Sequence, residues 1–341
     1  MTMNGDRVVD AVSIFQLNHG FAQSKLLHSA VEIGLFELLA EAPAAEPEIR
    51  RRLGLHQRFT RDFLTALVAL GLLERDGERY RNTEVTTEHL VPGGTLYLGG
   101  RVRAASKRHF VAWSRFTEAL RDGKQKAGED DLKLFETLYT DPEKTKGLLD
   151  HVDANTSLVG PQLAEFVDWS AVKSFVDVGG SRGRLATHLV TAHPHLRGTV
   201  FELPPVEPYF HELMAEVGLA DKVRYHAGDC FADPLPETDV MIFGHILHDF
   251  PIPQRRDLLQ RAARAVRPGG AVVVYDQMLD EEEPDLHCFI GSLNVALNTV
   301  GGSDYTVAEC REWMEKAGLV FVAAQRFARG TSTAVMARRE A

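Results

Sequence analysis

The chain has few cysteines, no long apolar run and no excess of positive charge, and each shortage excludes a class of protein. Its 341 residues include three cysteines, scattered and never in a C-x-x-C pattern, so neither a disulfide framework nor a zinc site is indicated. No run of about 18 apolar residues is available to span a membrane, and the first residues lack the apolar core of a secretory signal. The net charge of −10 argues against nucleic acid as a partner. We expect a cytoplasmic protein with no membrane or nucleic-acid partner.

The most informative segment is an apolar strand followed by a glycine turn, FVDVGGSRGRLA at residues 175–186. Gly179 and Gly183 allow the backbone to turn sharply and to approach a ligand closely. Glu202 ends the next apolar strand, where an acid can accept hydrogen bonds from ribose hydroxyls. Because the dinucleotide pattern G-x-G-x-x-G does not fit, the turn favours a ligand with one nucleoside and no pyrophosphate. S-adenosylmethionine is the obvious candidate.

The same turn also matches G-x-S-x-G, the nucleophile elbow of serine hydrolases. A hydrolase would need a glycine-rich oxyanion loop and a late histidine as triad base. The chain has no H-G-G-G segment and no histidine beyond His287. The hydrolase is therefore kept only as a remote alternative.

Residues 1–100 begin with apolar positions at helical spacing and continue with the outline of a winged helix. A short helix ending near Gly54, a longer helix from about Thr60 and an Asp-Gly turn between two β-like runs give this outline. Winged helices often bind DNA, so a transcription regulator is a second remote alternative. Acidic residues outnumber arginines over 31–84, and the candidate recognition helix is mostly apolar. We therefore expect a dimerisation domain rather than a DNA-binding one.

Residues 101–165 are expected to form a helical connector that lines the substrate pocket, and residues 166–341 a catalytic α/β domain. Short apolar strands are expected at 174–178, 199–203, 223–227, 238–243 and 271–276, with helices near 184–192, 207–217 and 254–266 between them. This alternation predicts a parallel, Rossmann-like sheet whose ligands bind at the carboxyl ends of the strands.

Two further motifs follow strands of this sheet. After the third strand, Asp229 can accept from an adenine amino group while Phe231 stacks on the ring. After the fourth strand, the segment GHILHDF contains His248, which we predict to be a general base. Asp249 and, after the fifth strand, Asp276 are placed to hold its imidazole in one tautomer. His245 remains an alternative base.

Together these motifs resemble the small-molecule S-adenosylmethionine-dependent O-methyltransferases of bacterial natural-product and plant phenylpropanoid metabolism. The resemblance runs from VEIGLFELL through GDCF, ILHDF, RPGG and GGSDYT. It implies a winged-helix dimerisation domain, a homodimer and a Rossmann-like catalytic domain that binds S-adenosylmethionine. It further implies that Asp276 and Asp304 orient His248, and that residues near Phe15 reach the partner's site.

Two sets of binding residues complete these expectations. The donor set is Ser157, Asp177, Gly179, Gly183, Glu202, Leu203, Gly228, Asp229, Cys230 and Phe231. The substrate set is Trp113, Phe135, Asp153, Asp249, Asn294 and Asn298. No metal is expected, since Asn298 stands where an imidazole ligand would be needed.

The chain also departs from the family pattern at two positions. Ser181 replaces the middle glycine of the turn, and Asp153 stands where relatives place a methionine near the donor. Asp153 either contacts a cationic or amine-bearing substrate or faces solvent. We expect methyl transfer to a phenolic or enolic hydroxyl of a natural-product intermediate. The alternatives are C-methylation of a 2-oxo acid or hydroxyarene, and donor binding without methyl transfer.

Overall fold

The structure, a computed structural model, describes residues 9–93, 97–127 and 142–341. It divides into two compact units, the first ending at Lys107 and the second beginning at Arg108. The domain limits expected at residues 100 and 165 stay predictions. Phe135, expected in the substrate pocket, lies outside the described residues. Within the described ranges, no helix is both long enough and apolar enough to cross a membrane.

Short helices and a small antiparallel sheet make up the first unit. Its helices are α1 (Ala11–Asn18), α2 (Gly20–Glu32), α3 (Leu35–Glu41), α4 (Glu46–Leu53), α5 (Gln57–Ala69), α6 (Glu84–Leu90) and α7 (Gly99–Ala104). Strands β1 (Ala44–Ala45), β2 (Leu73–Asp76) and β3 (Arg79–Asn82) pair in the order β1-β3-β2. Gly77, at φ +57°, turns the chain between β2 and β3, as the Asp-Gly signal predicts. Helices followed by this hairpin give the winged-helix outline.

The first unit buries one apolar core and leaves a second apolar set exposed. Leu35, Phe36 and Ile49 are fully buried in the core. By contrast, helix α1 buries none of its residues, and Phe15 on it is 66% exposed. Phe21 on the next helix is 64% exposed. Contiguous exposed apolar side chains of this kind mark an interaction surface.

The second unit alternates helices with strands. Its helices are α8 (Phe110–Trp113), α9 (Phe116–Asp122), α10 (Pro142–Phe166), α11 (Arg184–Ala192), α12 (Glu207–Glu216), α13 (Ile252–Ala265), α14 (Leu286–Asn298) and α15 (Val307–Lys316). Its strands are β4 (Ser174–Val178), β5 (Arg197–Glu202), β6 (Val223–Ala227), β7 (Thr238–Gly244), β8 (Val266–Asp276), β9 (Leu319–Arg326) and β10 (Thr333–Arg339). The alternating pattern predicted from the sequence is confirmed.

The seven strands of this unit form one sheet with the order β6-β5-β4-β7-β8-β10-β9. Strands β4 to β8 are parallel, and β10 runs antiparallel between β8 and β9. Successive residues along a strand point to opposite faces, so Phe175 packs in one core and Val176 in the other. Burial on both faces explains why these strands are continuously apolar.

The order of the strands fixes where a ligand can bind. The chain proceeds from β4 outward to β5 and β6, then crosses back to β7 on the other side of β4. Such a reversal opens a crevice at the carboxyl ends of the strands on its two sides. The glycine turn follows β4 and the His248 segment follows β7, so both lie at this switch point.

Candidate active site

The glycine turn after β4 has a backbone that most side chains cannot adopt. Gly179 lies at φ +68° and Gly183 at φ +91°, and Ser181 between them is also left-handed at φ +52°. A Cβ atom on Gly179 would lie 2.2 Å from Cδ1 of Ile246. One on Gly180 would lie 2.5 Å from an oxygen of Asp177. This turn, which we call the backbone cradle, is therefore packed so closely that it has no room for a single methyl group at Gly179 or Gly180.

Glu202, at the end of β5, holds this turn in place. Its Oε2 accepts a hydrogen bond from the backbone N–H of Ser181 at 3.0 Å, and its Oε1 accepts from that of Leu203 at 2.8 Å. Burial raises the pKa of the Glu202 carboxyl, and the two backbone hydrogen bonds partly offset that rise. Glu202 and the turn thus meet at the switch point, as predicted.

Asp177 is the second buried acid of this corner. Burial and the neighbouring Glu202 raise its pKa to about 8. Its Oδ2 is buried and has no hydrogen-bond partner among the described residues. Buried polar atoms in folded proteins are nearly always paired, so an unpaired one beside a backbone cradle fits a site that a ligand completes.

The serine of the G-x-S-x-G pattern has no catalytic partner. The Oγ of Ser181 is buried and makes no hydrogen bond to any described residue, whereas a nucleophilic serine needs a base within hydrogen-bond reach. The hydrolase alternative is thus unsupported by the geometry.

The segment after β6 offers an acid and an aromatic side by side. Oδ1 of Asp229 accepts a hydrogen bond from the N–H of Phe231 at 2.9 Å. The Phe231 ring packs edge-on against Phe250 with centroids 4.7 Å apart. A Cβ on Gly228 would lie 2.6 Å from the Phe201 ring. Burial raises the pKa of the Cys230 thiol to about 12, so it stays neutral.

His248 lies in a single 3₁₀ turn after β7 and is nearly buried. Its Nδ1 is 2.8 Å from Oδ1 of Asp304 and 3.5 Å from Oδ1 of Asp276. An ionised carboxylate can only accept a hydrogen bond, so Nδ1 carries the proton. In the neutral imidazole, Nε2 is then the basic atom. It lies 3.7 Å from Oδ1 of Asp249.

These acids set the basicity of the imidazole. Burial on its own would lower the pKa of His248, but the charges of Asp276, Asp249 and Asp304 outweigh it and raise the pKa to about 10. Burial raises the pKa of Asp276 to about 7, against the opposing effect of the His248 cation and of a hydrogen bond from Tyr305. The cluster therefore strongly favours a protonated imidazole among carboxylates.

Asp276 lies between two histidines. Its Oδ2 accepts a hydrogen bond from the hydroxyl of Tyr305, and its Oδ1 is 3.7 Å from Nδ1 of His245. His245 is held at φ +54°, and its Nε2 lies 3.2 Å from Oγ of Ser332. The ligand atoms of His245, His248 and Asp276 lie within 4.8 Å of one another. A metal-bound histidine commonly donates its other ring nitrogen to a carboxylate, so the bond to Asp304 does not decide between an ionic network and a metal centre, and the expectation of no metal stays a prediction.

The predicted substrate residues on α14 form a polar chain with Trp113. The indole N–H of Trp113 donates to Oδ1 of Asn294. Nδ2 of Asn298 donates to the carbonyl of Asn294 at 2.6 Å, while Oδ1 of Asn298 is buried without a partner among the described residues. Arg108 donates to the carbonyl of Asn298 at 3.1 Å. The structure thus brings these three predicted residues together, and their contact with substrate stays a prediction.

Asp153, whose environment the sequence did not decide, forms hydrogen bonds with two arginines. Its Oδ2 accepts from Nε and Nη2 of Arg182 at 3.0 and 2.7 Å and from Nε of Arg184 at 2.9 Å. Both arginines belong to the glycine turn and the start of α11, so Asp153 ties α10 to the turn. Its side chain is largely buried rather than turned to solvent. Ser157 lies one helical turn further along α10 and is partly buried. A contact of either residue with a ligand stays a prediction.

Several residues of the site were missed by sequence reasoning. Tyr305 follows Asp304 directly in GGSDYT, and Arg182 lies inside the glycine turn itself. Both are adjacent to predicted residues, so their positions within the motifs could have identified them as residues of the site. Arg255, which contacts the His248 segment from α13, had no motif to mark it.

Comparisons with known proteins extend over nearly the whole chain. Residues 113–320 match an O-methyltransferase domain, and residues 15–92 match an O-methyltransferase dimerisation domain. The tetracenomycin polyketide synthesis 8-O-methyl transferase TcmO of Streptomyces glaucescens is 47% identical over 91% of this chain and 91% of its own. The N,N-dimethyltransferase OxyT of Streptomyces rimosus is 43% identical over 94% of this chain and 93% of its own.

A solved structure shares the complete fold. The crystal structure of human N-acetylserotonin methyltransferase in complex with SAM (S-adenosylmethionine) superimposes with a TM-score of 0.89. The match covers 100% of both chains at 25% sequence identity. The Rossmann-like sheet with an N-terminal dimerisation domain is therefore confirmed.

The cradle at Gly179 generates a prediction. We expect Gly179→Ala to weaken S-adenosylmethionine binding roughly tenfold or more, about 1.4 kcal/mol, because the added methyl occupies the cradle and displaces Ile246. Isothermal titration calorimetry measures the donor Kd.

The matched control is Gly218→Ala. Gly218 has nearly the same φ, +69°, but a Cβ there meets no atom within 4 Å. Both variants carry a left-handed strain of about 1–2 kcal/mol, so Gly218→Ala reports the loss of thermal stability from that strain alone, and only Gly179→Ala should lose donor affinity. Equal donor affinity in the two variants would contradict the assignment of the cradle.

Proposed function

We infer the function from one premise: this chain belongs to the O-methyltransferase family and is an S-adenosylmethionine-dependent methyltransferase. We propose that it methylates a phenolic or enolic hydroxyl of an aromatic polyketide intermediate in antibiotic biosynthesis. The observation that carries this proposal is the imidazole of His248, held by Asp304 with Nε2 left as the basic atom. Support for the substrate class comes from the relative named for 8-O-methylation in tetracenomycin polyketide synthesis.

The donor side of the site fits S-adenosylmethionine. Gly179, at φ +68° and with no room for a Cβ beside Ile246, keeps the turn in the conformation whose backbone would face the donor. Glu202 offers carboxylate oxygens to ribose hydroxyls, and Asp229 with Phe231 offers an acceptor and an aromatic face to adenine. When bound, S-adenosylmethionine supplies a methyl group on a positively charged sulfur.

His248 performs the proton chemistry in this proposal. Nδ1 donates to Asp304, which fixes the tautomer, and Nε2 accepts the proton of the substrate hydroxyl as its oxygen is methylated. A phenol has a pKa near ~10, so proton transfer to an ordinary imidazole of pKa ~6.5 is uphill by about 5 kcal/mol. With the pKa of His248 raised to about 10, transfer to the neutral imidazole is nearly balanced, but below that pH only a small fraction of the imidazole is neutral and able to accept the proton. Alignment of the two bound reactants contributes on the order of 7–11 kcal/mol more.

Amine methylation is a second candidate, because OxyT, a relative of similar identity, is named an N,N-dimethyltransferase. The same base would then remove a proton from an ammonium group before transfer. Contact with an amine-bearing substrate was one of two expectations for Asp153. Its Oδ2 is paired with Arg182 and Arg184, so we favour the hydroxyl.

We also propose a homodimer formed through the first unit. A dimerisation-domain match over residues 15–92 supports this, as do the exposed apolar side chains of α1.

Isotope labelling tests the reaction. The protein is incubated with methyl-¹³C S-adenosylmethionine and a panel of aromatic polyketides bearing free phenolic hydroxyls, alongside matched aromatic amines. We expect a new ¹³C signal in the methoxy region. His248→Gln should lower turnover by roughly 10²–10⁴-fold while donor binding is unchanged, because the base is lost and the donor contacts are kept.

The control for this substitution is His287→Gln, at an exposed histidine, which should leave turnover unchanged. A signal in the N-methyl region would favour the second candidate, and one in the C-methyl region would contradict both. Full turnover by His248→Gln would contradict the assignment of the base.

The carboxylates around His248 generate a pH prediction. A base whose pKa is raised to about 10 becomes neutral only at high pH, so kcat/KM should still be rising above pH 8. Asp304→Asn removes one negative charge and lowers the pKa of His248. Its profile should therefore level off at a pH lower by roughly 1–3 units, with a lower maximum rate.

The parent protein and Asp304→Asn are measured on the same acceptor, so any titration of the acceptor affects both profiles equally. The control is Asp221→Asn, at an exposed acid, whose profile should match the parent. A parent profile that levels off near pH 7, or an unshifted Asp304→Asn profile, would contradict the account.

The exposed side of α1 generates an oligomerisation prediction. Phe15→Glu should convert a dimer to a monomer in sedimentation velocity, because a charge would be buried in an apolar interface. Leu120→Glu, at a leucine of the second unit that is 69% exposed, should leave the dimer intact. A parent protein that is monomeric at micromolar concentration would refute the dimer.

A further inference from the structure

We propose that Arg255 is a positioning residue for methyl transfer, which joins the chain segment of His248 to that of Asp304 and so sets the distance between the base and its carboxylate. The inference rests on the proposed role of His248 and adds Arg255, a residue that the proposed mechanism does not use.

Arg255 lies near the start of α13 and is only 1% exposed. Burying a guanidinium is costly unless it is paired, yet no carboxylate of the described residues lies within ion-pair distance of it. Burial lowers its pKa, and the nearby charges of Tyr305, Asp276 and Asp304 oppose that effect. Without a direct counter-ion, hydrogen bonds must stabilise this buried guanidinium.

Those hydrogen bonds join two separate segments. Nε donates to the carbonyl of Phe250 at 2.6 Å, and Nη2 donates to the carbonyl and hydroxyl of Ser303 at 2.7 and 3.1 Å. Nη2 also lies 3.4 Å from the carbonyl of His248. One side chain therefore contacts the backbone of the base segment on one side and the residue directly before Asp304 on the other.

The aromatic contacts of Arg255 reach the second carboxylate. Its guanidinium carbon lies 5.0 Å from the ring centroid of Tyr305 and 5.5 Å from that of Trp313, in the range of cation–π attraction. Tyr305 in turn donates its hydroxyl to Asp276. Arg255 therefore contacts both Ser303, the neighbour of Asp304, and Tyr305, the residue that bonds Asp276. Asp304 and Asp276 are the two acids that face Nδ1 of His248.

Only arginine can make this set of contacts. Its planar fork directs Nε and Nη2 to different acceptors at once, whereas a lysine presents a single mobile ammonium. Arg255→Lys would keep the charge and lose the fork. Arg255→Met would keep much of the volume and leave the carbonyls of Phe250 and Ser303 without this donor.

The direct measurement is of the His248 imidazole by ¹H–¹⁵N NMR, which gives its pKa and the exchange rate of its Nδ1 proton. The signal is assigned by its loss in His248→Gln. The charged and titratable groups around it are Asp249, Asp276, Asp304, His245, Tyr305 and Arg255. This readout needs no acceptor, so it tests the positioning role even where the proposed reaction is wrong.

In the parent protein the Nδ1 proton should be protected and the pKa of His248 well above its ordinary value. In Arg255→Lys, which keeps the positive charge, loosening of the Asp304 contact should lower the pKa of His248. In Arg255→Met the same loosening should speed exchange of that proton, while loss of the nearby cation partly offsets the fall in the pKa. Turnover on the labelled acceptor should fall roughly 10²-fold, the effect of a misplacement of about 1 Å, with donor Kd unchanged.

Matched substitutions at Arg256 provide the control, because it is the exposed neighbour on the same helix. Arg256→Met and Arg256→Lys should leave the His248 signal and turnover unchanged. If Arg255→Met does not fold, the pKa of His248 and the exchange of its Nδ1 proton in Arg255→Lys still test the proposal. A folded Arg255 variant with the parent's His248 pKa and proton protection would overturn the proposal, whatever its thermal stability.

Discussion

The hydrogen bond between Nδ1 of His248 and Asp304 is the interaction on which the rest of the site depends. It orients the imidazole, leaves Nε2 as the basic atom and places a negative charge beside the ring. Taking these charges out of water is costly, and their attraction offsets that cost only with good geometry and further hydrogen bonds. The protein supplies these through Tyr305, which bonds Asp276, and through Arg255, which bonds both flanking segments.

The sheet brings the proposed base to the proposed donor site. Strand β4 delivers the glycine turn and β7 delivers His248 at neighbouring carboxyl ends, while Glu202 on β5 bonds the turn from the other side. Ile246, two residues before the base, is the side chain that a Cβ on Gly179 would meet. The glycine turn therefore packs against the segment that carries His248.

The sequence allowed much of this to be predicted, because its signals are local. Strands buried on both faces are continuously apolar, so β4 to β8 were recognised, although β8 begins at Val266 rather than at residue 271. Strands β9 and β10 were not predicted, since no helix separates these two antiparallel strands at the end of the sheet. His248 and Asp276 were recognised because each follows a strand. The resemblance to relatives supplied Asp304. The contacts of Arg255 with Ser303 and of Asp153 with Arg182 and Arg184 followed only from packing, because they join elements distant in sequence.

The most direct test is a crystal structure with S-adenosylhomocysteine and the methylated product bound. The account predicts that the methylated oxygen lies within hydrogen-bond reach of Nε2 of His248, about 2.6–3.2 Å, with Asp304 still bonded to Nδ1. A methylated atom that faces another side chain, or a His248 ring turned so that Nε2 points away from the product, would contradict it.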